Sequence, residues 1–209
     1  GRQIMITIID YGVGNLFSLS SSLRFLGLEN RISGKKADLV QADRIILPGV
    51  GAFGDAVSTL RQSGLVDTIK DEAAKGKPIM GICLGMQLLF DKSYEYGEFE
   101  GLGLIPGAMK PLKGEIPASL KVPHMGWNSL RFTEKGKKHP LFKYSSEGDY
   151  VYFVHSYYGK DCDESLLAVS EYGISVTAAA ANGNVMGTQF HPEKSGAAGL
   201  RILKAFSEI

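Results

Sequence analysis

The chain has 209 residues, 44% of them hydrophobic, which suits one globular domain with a sizeable buried core. A formal net charge of +1 argues against a basic surface for nucleic acid, and no stretch approaches the roughly 18 apolar residues of a membrane span. Two cysteines are too few for a disulfide scaffold and favour a reducing, cytoplasmic location. At the N-terminus, which lacks signal-peptide features, residues 1–3 are either an added remnant before a natural start at Met5 or native sequence.

The first half of the chain alternates predicted strands and helices. Residues 4–9 form a continuous apolar run, which is typical of a strand buried on both faces. Four leucines at spacings of three and four then predict one face of a helix, which Gly27 ends: Leu16, Leu19, Leu23 and Leu26. Further strands are predicted at residues 44–47 and 78–83, and further helices at 53–75, with a break near Gly64, and at 84–91.

The second half is richer in strands, which are predicted at residues 150–155, 166–171 and 174–180. Residues 101–113 predict an ordered crossing loop or short strands. Asn182-Gly183 is a strong hairpin signal, because both residues tolerate the positive φ of a type I′ turn, and 184–190 would be the return strand. Residues 197–209 predict an amphipathic helix. Together these elements predict one α/β domain, residues 1–209, with a mixed central sheet.

Cys83 lies between a predicted strand and a predicted helix, in Gly81-Ile82-Cys83-Leu84-Gly85. This is the cysteine form of the G-x-S-x-G nucleophile elbow, in which glycines permit a sharp turn that presents the side chain. The adjacent helix N-terminus favours the thiolate, and the Leu84 N–H would point towards a developing oxyanion. A buried structural cysteine is the alternative interpretation, and the elbow alone leaves the two about even.

The segment His191-Pro192-Glu193 offers a base for a cysteine nucleophile and a carboxylate to orient that base. His191 follows the return strand, and an extended segment would put both side chains on one side. Alone, the segment fits a surface histidine beside an acid. Together with Cys83 it predicts a Cys83–His191–Glu193 triad.

Two glycine-rich turns follow predicted strands. Residues 48–51, Pro-Gly-Val-Gly, predict a second oxyanion donor or an ordinary turn. Residues 12–15, Gly-Val-Gly-Asn, lack the third glycine and the acidic residue of a dinucleotide fingerprint, so we reject that interpretation. Because the histidines and cysteines are not at ligand spacing, we expect no metal site, and no cofactor is predicted.

These motifs resemble the class I, triad-type glutamine amidotransferases and, within them, the glutaminase subunits of imidazole glycerol phosphate synthase. The resemblance spans the chain and rests on residues 10–15 (DYGVGN), 48–51 (PGVG), 81–87 (GICLGMQ), 123–128 (PHMGWN), 154–158 (VHSYY) and 189–195 (QFHPEKS). The cysteine elbow marks the superfamily, whereas DYGVGN, PHMGWN and HPEKS mark the subunit.

The resemblance implies a flavodoxin-like α/β fold, with a mixed, mostly parallel sheet flanked by helices, and an enzyme that hydrolyses L-glutamine to L-glutamate and ammonia. Cys83 would form a γ-glutamyl thioester, with His191 as acid and base and the N–H groups of Val50 and Leu84 as the oxyanion hole. The implied glutamine ligands are Gly49, Gly51, Gln87, Ser156 and Tyr157. From sequence alone, Gln87 is more readily a helix-surface residue.

The resemblance also implies a partner, a (β/α)8-barrel cyclase subunit that forms a heterodimer with the chain. The cyclase would use the ammonia to make imidazole glycerol phosphate and AICAR in histidine biosynthesis. Asn15, Trp127 and Lys194 match interface positions, although from sequence alone the single tryptophan is more typical of a core. Glutaminase activity would be weak without the cyclase, with the Gly49–Val50 peptide as the switch.

The remaining histidines and the second cysteine are given lesser roles. His124 would be structural or interfacial, His155 would support the glutamine site, and His139 would be solvated in a charged loop. Cys162 lies in a polar loop between acidic residues and is interpreted as a bystander.

Other interpretations remain open. A triad glutaminase serving anthranilate, pyridoxal phosphate or GMP synthesis would share the elbow, but DYGVGN, PHMGWN and HPEKS disfavour it. A non-catalytic scaffold would keep the fold, but the intact triad disfavours it. A cysteine peptidase on a related fold would share the elbow without the supporting segments.

Overall fold

The computed structural model describes residues 2–209, so the expectation for residues 1–3 falls partly outside the described residues at Gly1. The strands are β1 (Met5–Ile9), β2 (Glu29–Ser33), β3 (Arg44–Leu47), β4 (Ile79–Ile82), β5 (Phe90–Ser93), β6 (Phe99–Glu100), β7 (Ile105–Pro111), β8 (His124–Ser129), β9 (Arg131–Phe132), β10 (Tyr150–His155), β11 (Tyr157–Lys160), β12 (Leu166–Glu171), β13 (Ser175–Asn182) and β14 (Val185–Thr188). The helices are α1 (Leu16–Phe25), α2 (Lys36–Gln41), α3 (Phe53–Gln62), α4 (Val66–Ala74), α5 (Leu84–Leu89), α6 (Glu134–Lys138) and α7 (Gly196–Ser207).

The main sheet has eight strands in the order β2-β1-β3-β4-β14-β13-β12-β9. The pairings from β2 through β14 are parallel, and those from β14 to β9 are antiparallel. This order, with four parallel pairings and three antiparallel ones, confirms the expected mixed, mostly parallel sheet. Because parallel strands bring their carboxyl ends to one edge, the ends of β1, β3, β4 and β14 can build a common site.

Side chains that alternate along the buried strands divide the core into two layers. On β3, Ile45 and Leu47 pack in the layer formed with α3, α4 and α5. Ile46, which points to the opposite face, packs in the layer formed with α1 and α7. The sheet is therefore covered by helices on both faces, as its continuous apolar strands require.

Two smaller sheets lie beside the main one. β8 pairs antiparallel with β10, and β11, β7, β5 and β6 form a sheet of four strands. Residues 101–113 thus contribute β7, in agreement with the prediction of short strands. The helix predicted at residues 84–91 is shorter in the structure, because α5 ends at Leu89 and β5 begins at Phe90.

The predicted hairpin near residue 182 is present, but its turn is one residue further on. Asn182 pairs with Val185, so the two turn residues are Gly183 and Asn184. Gly183 has a φ of +60° and Asn184 is not among the residues with positive φ, which describes a type II′ turn, not the predicted type I′. The prediction of a type I′ turn at Asn182-Gly183 was wrong because the strand continues through Asn182.

The sequence prediction missed β2 and α2. β2 is an edge strand of polar and partly buried residues without a clear alternation, and α2 has only six residues. Neither shows the regular spacing of apolar residues on which the other predictions depended. Across residues 2–209, none of the helices has both the length and the apolar character needed to span a bilayer.

Candidate active site

Cys83 occupies a sharp turn between β4 and α5. Its φ of +56° and ψ of −115° are uncommon for a residue with a side chain. Glycines make the turn possible: a Cβ added to Gly85 would lie 1.8 Å from the Leu47 carbonyl oxygen, and one added to Gly81 would lie 2.6 Å from the Gly85 backbone. The Cys83 N–H donates to the Thr188 carbonyl at 2.8 Å, which ties the turn to β14.

His191 and Glu193 follow β14, the parallel neighbour of β4. His191 Nδ1 lies 2.5 Å from Glu193 Oε1, and both side chains are buried. The expected extended segment stops at His191, since Pro192 begins a 3-10 turn that contains Glu193. That turn, not an extended strand, brings the carboxylate beside the imidazole. The Ser195 hydroxyl donates to the His191 carbonyl at 2.6 Å and fixes the turn.

The electrostatics of His191 are set by competing effects. Burial lowers the pKa of His191, but its interaction with Cys83 and its hydrogen bond to Glu193 outweigh burial and raise the pKa to about 9. Glu193 Oε2 is buried without a hydrogen-bond partner. The imidazole is therefore held in its protonated form at neutral pH, with its orientation fixed by Glu193 Oε1.

A pocket of about 310 Å³ opens beside Cys83, a volume in the range of small-molecule sites. The described residues that line it include Cys83, His191, Lys194 and six other residues singled out in the sequence, Val50, Gly51, Leu84, Gln87, Ser156 and Tyr157. Gly49 lies outside this pocket and borders a smaller neighbouring cavity that also touches Asn15, Val50, His191 and Glu193. One cluster of strand ends thus brings together most of the candidate residues.

The two candidate oxyanion donors lie on adjacent strand ends. Leu84 is the first residue of α5, so its N–H has no acceptor within the helix. Val50 follows β3 and is 47% exposed. Both line the pocket that contains Cys83. The positive, N-terminal end of α5 begins directly after Cys83.

Gln87 is buried, so its interpretation as a helix-surface residue was wrong. Its Nε2 donates to the Tyr157 carbonyl at 3.2 Å and to Gln189 Oε1 at 3.0 Å. Gln189 Nε2 in turn lies 3.8 Å from Cys83 Sγ. Gln189, which lies in the 189–195 segment but was given no role there, therefore links the pocket wall to Cys83.

Glu95 is a second residue that the sequence analysis missed. It lines the pocket and accepts the Phe53 N–H at 2.6 Å. Burial raises the pKa of Glu95, and the hydrogen bond from Phe53 partly opposes this. The sequence around Glu95 offered no signal, because a single carboxylate in a loop is ordinary and only the chain crossing brings it to the pocket.

A chain of hydrogen bonds through two buried histidines ends at the pocket. His155 Nδ1 lies 2.8 Å from the Tyr157 carbonyl, so it is the donor, and His155 Nε2 lies 2.9 Å from His124 Nδ1. His124 Nε2 then accepts from Asn128 at 3.2 Å. Burial lowers the pKa of His155 to about 3 and that of His124 to about 4, so both rings are neutral.

Of the residues expected at the interface, Lys194 and Asn15 border the two cavities of the site, and Trp127 lies on β8. Asn15 caps α1 by accepting the Ser18 N–H, and Lys194 lines the pocket. Trp127 is 56% exposed, so the interpretation as a core aromatic was wrong. On β8 the alternation of side chains turns Met125 and Trp127 outwards and His124 inwards.

His139, which was predicted to be solvated, is partly buried, and Cys162 is buried although the sequence around it is polar. Cys162 is buried and packs in the layer that contains α3 and α4. Burial raises the pKa of Cys162, its contact with Thr177 lowers it, and Asp163 and Asp161 raise it further. Burial, followed by the charge of Lys135, lowers the pKa of His139, whose Nδ1 accepts the Leu141 N–H. Within residues 2–209, no three His, Cys, Asp or Glu side chains converge as metal ligands.

Comparison with known proteins agrees with this geometry. The family described as "Glutamine amidotransferase class-I" matches residues 7–208. "Imidazole glycerol phosphate synthase subunit HisH" of Listeria monocytogenes serotype 4a (strain HCC23) is 50% identical over 205 residues, covering 98% of this chain and 96% of that protein. The protein of the same name from Oceanobacillus iheyensis is 50% identical over 206 residues, covering 98% of this chain and 99% of that protein.

Solved structures agree on the fold. One described as "Structure of PurLQS from Thermotoga maritima" superposes with a TM-score of 0.77 at 21% identity, covering 99% of both chains. At that identity the similarity supports the fold alone. The family match and the full-length relatives carry the assignment further: the chain belongs to the class I glutamine amidotransferases and, within them, to the family of HisH subunits of imidazole glycerol phosphate synthase.

Proposed function

We propose that this chain hydrolyses L-glutamine to L-glutamate and ammonia through the Cys83–His191–Glu193 triad, as the glutaminase subunit of imidazole glycerol phosphate synthase in histidine biosynthesis. The observation that carries the proposal is the elbow at Cys83, whose pocket also contains His191, itself oriented by Glu193. A nucleophile, a base and an orienting carboxylate in this order are the requirements for acyl transfer. The names of the full-length relatives supply the pathway.

The first half of the reaction forms the thioester. The Cys83 thiolate attacks the carbon of the glutamine side-chain amide, and the electron pair of the carbonyl moves to oxygen. The N–H groups of Leu84 and Val50 stabilise this oxyanion. When the tetrahedral intermediate collapses, the carbon–nitrogen bond breaks, the nitrogen takes the proton of His191, and ammonia leaves a γ-glutamyl thioester on Cys83.

The second half regenerates the enzyme. The neutral His191 takes a proton from a water molecule as that water attacks the thioester carbon. The carbon–sulfur bond then breaks, which releases glutamate and restores the Cys83 thiolate beside protonated His191. Glu193 Oε1 holds Nδ1 throughout, so Nε2 is the nitrogen that exchanges protons with substrate and water.

The pocket offers groups for both ends of the amino acid. Glu95 is the carboxylate of the pocket lining, which makes it the natural partner for the substrate ammonium group. The backbone around Gly51, Ser156 and Tyr157 would bind the substrate carboxylate, and Gln87 would order that wall through the Tyr157 carbonyl. Gly49 would act through the position of the Val50 N–H and not by direct contact with glutamine.

The partner in this proposal is a (β/α)8-barrel cyclase that covers the face around Asn15, Trp127 and Lys194. Covering this face would keep ammonia from bulk water, where it would be protonated and lost as a nucleophile. Rotation of the Gly49–Val50 peptide would adjust the oxyanion hole when the cyclase binds its nucleotide. A reducing cytoplasmic location belongs to the proposal, because the mechanism needs a free thiol.

The test is ammonia release from glutamine, measured with and without a cyclase subunit and its nucleotide ligand. We expect release to rise strongly with the liganded cyclase, and we expect Cys83→Ala to abolish it. Cys162→Ala is the matched control, since it removes the other thiol of the chain. Strong release that does not depend on the cyclase would contradict the pathway assignment, and release by Cys83→Ala would contradict the triad.

A further inference from the structure

The segment of residues 48–50, here called the oxyanion segment, is held by a side chain outside the triad. Tyr11 follows β1, is buried, and donates its hydroxyl to the Pro48 carbonyl at 2.8 Å. The same hydroxyl oxygen would lie 2.9 Å from a Cβ added to Gly49. Tyr11 therefore contacts the segment at two consecutive residues, immediately before Val50.

Other contacts hold the beginning of the oxyanion segment from both sides. A Cβ added to Gly49 would lie 3.0 Å from the Gly85 nitrogen at the start of α5, and one added to Gly14 would lie 3.1 Å from the Pro48 side chain. Burial changes abruptly along the segment, because Pro48 and Gly49 are buried whereas Val50 is exposed. The change from buried to exposed backbone thus falls at the Gly49–Val50 peptide.

We propose that Tyr11 is a positioning residue for glutamine hydrolysis, whose hydroxyl anchors the Pro48 carbonyl and restricts movement to the Gly49–Val50 peptide. The inference rests on the proposed function. With Pro48 fixed, rotation of the Gly49–Val50 peptide can align the Val50 N–H with the Leu84 N–H across the oxyanion position. Without the anchor, the whole segment can shift, and the two donors no longer act on one oxygen atom.

The chemistry of Tyr11 suits an anchor. Burial raises the pKa of its phenol, so the hydroxyl remains a donor across the pH range of the enzyme. Because the oxyanion exists only after Cys83 attacks, misaligned donors affect the transition state more than the bound substrate. Loss of the anchor should therefore lower kcat and leave KM for glutamine nearly unchanged.

The first test compares Tyr11→Phe with the wild type in the complex with the liganded cyclase. We expect kcat to fall about tenfold, less than the loss of a whole oxyanion donor, and KM to stay within about twofold. Tyr158→Phe is the control, because it also removes the hydroxyl of a buried tyrosine residue but lies in a separate cluster with Leu112, Ile116 and Val176. A kcat for Tyr11→Phe equal to or above that of the wild type would overturn the inference.

A second measurement separates positioning from a general loss of structure. The Cys83 thiolate adds to the aldehyde carbon of glutamate γ-semialdehyde to give a tetrahedral adduct. The carbon–sulfur bond forms as the carbonyl π bond breaks, and its electron pair moves to the oxygen, which occupies the oxyanion hole. We expect Tyr11→Phe to weaken this adduct about tenfold, in proportion to kcat. Binding of glutamine itself, measured in the Cys83→Ala background, should not change. Equal weakening of both ligands would indicate a structural role and overturn the inference.

A graded variant keeps the test open if Tyr11→Phe does not fold. Tyr11→p-aminophenylalanine keeps the ring and a weaker N–H donor, so its kcat should lie between those of tyrosine and phenylalanine. A kcat for this variant that is unaltered from the wild type while Tyr11→Phe is unfolded would overturn the anchoring role. The proposed function fails separately, through ammonia release by Cys83→Ala or through strong release that does not depend on the cyclase.

Discussion

At the scale of single residues, the charge state of His191 depends on two neighbours with different roles. Glu193 orients the ring through Nδ1, and Cys83 interacts with the ring from the pocket side. Both raise the pKa of His191, against the effect of burial, to about 9. The imidazole is therefore protonated at neutral pH, which is the form that the proposed mechanism needs when ammonia departs.

The contribution of Cys83 can be measured by an NMR titration of His191. We expect the imidazole of the wild type to titrate near pH 9 and that of Cys83→Ala to titrate lower, because one interaction that raises its pKa is removed. Since the folded pKa lies above the ordinary 6.5, this interaction stabilises the fold fully below pH 6.5 and is lost as pH rises through about 9.

The control for this titration is Cys162→Ala, which lies in the other layer of the core and should leave the His191 curve unchanged. An identical titration of His191 in the wild type and in Cys83→Ala would mean that the thiol does not interact with the imidazole.

At the scale of secondary structure elements, the β8–β10 pair contains the two neutral histidines. Their pKa values of about 4 and 3 lie below the ordinary 6.5, because burial disfavours the charged form. The unfolded chain therefore binds protons below pH 6.5 that the folded chain does not. The contribution of the two neutral histidines to the free energy of unfolding is fully present above pH 6.5 and is lost as pH falls towards 4. The slope is up to about 1.4 kcal/mol per pH unit for each histidine.

Urea unfolding at pH 7 and pH 5 tests this expectation. The free energy of unfolding should fall between these values, and the fall should be smaller in His155→Asn. Asparagine can still donate to the Tyr157 carbonyl, as His155 Nδ1 does, but it has no group that titrates in this range. The same fall in both proteins would assign the acid sensitivity to other groups, such as His139, whose pKa is also lowered.

The elements also show where prediction from sequence works and where it fails. The buried parallel strands β1, β3 and β4 were predictable because both of their faces are apolar. The turn at Cys83 was predictable because glycines flank the cysteine on both sides. The polar edge strand β2 and the short helix α2 were not predictable, since packing against neighbouring elements, and not a local sequence pattern, stabilises them. Glu95 and Gln189 reach the site through tertiary crossings, which no local pattern encodes.

At the scale of the whole molecule, three exposed apolar side chains lie on segments that also contribute to the site. Val50 lines the pocket, and Met125 and Trp127 lie on β8, which also carries the buried His124. An exposed tryptophan in a proposed interface has the features of a binding hot spot. The cyclase contact and the catalytic geometry are therefore expected to share the same few strand ends.

The single tryptophan allows this expectation to be measured directly. We expect the Trp127 emission to shift to shorter wavelength when the cyclase binds, and Trp127→Ala to weaken the complex at least about tenfold. Phe25→Ala is the control, because Phe25 is an exposed aromatic residue at the other end of α1 from Asn15. Equal affinity of Trp127→Ala and the wild type for the cyclase would mean that the interface lies elsewhere on the surface.

The two cysteines differ in their access to solvent, and this difference has a practical consequence. Cys83 opens onto a pocket, whereas Cys162 is sealed in the core. A small thiol reagent should therefore count one sulfhydryl in the native chain and two after denaturation. The native count gives the concentration of folded chains with an accessible Cys83 thiol, and the second count marks global unfolding. The same difference allows a spectroscopic label to be attached at Cys83 without mutating the chain.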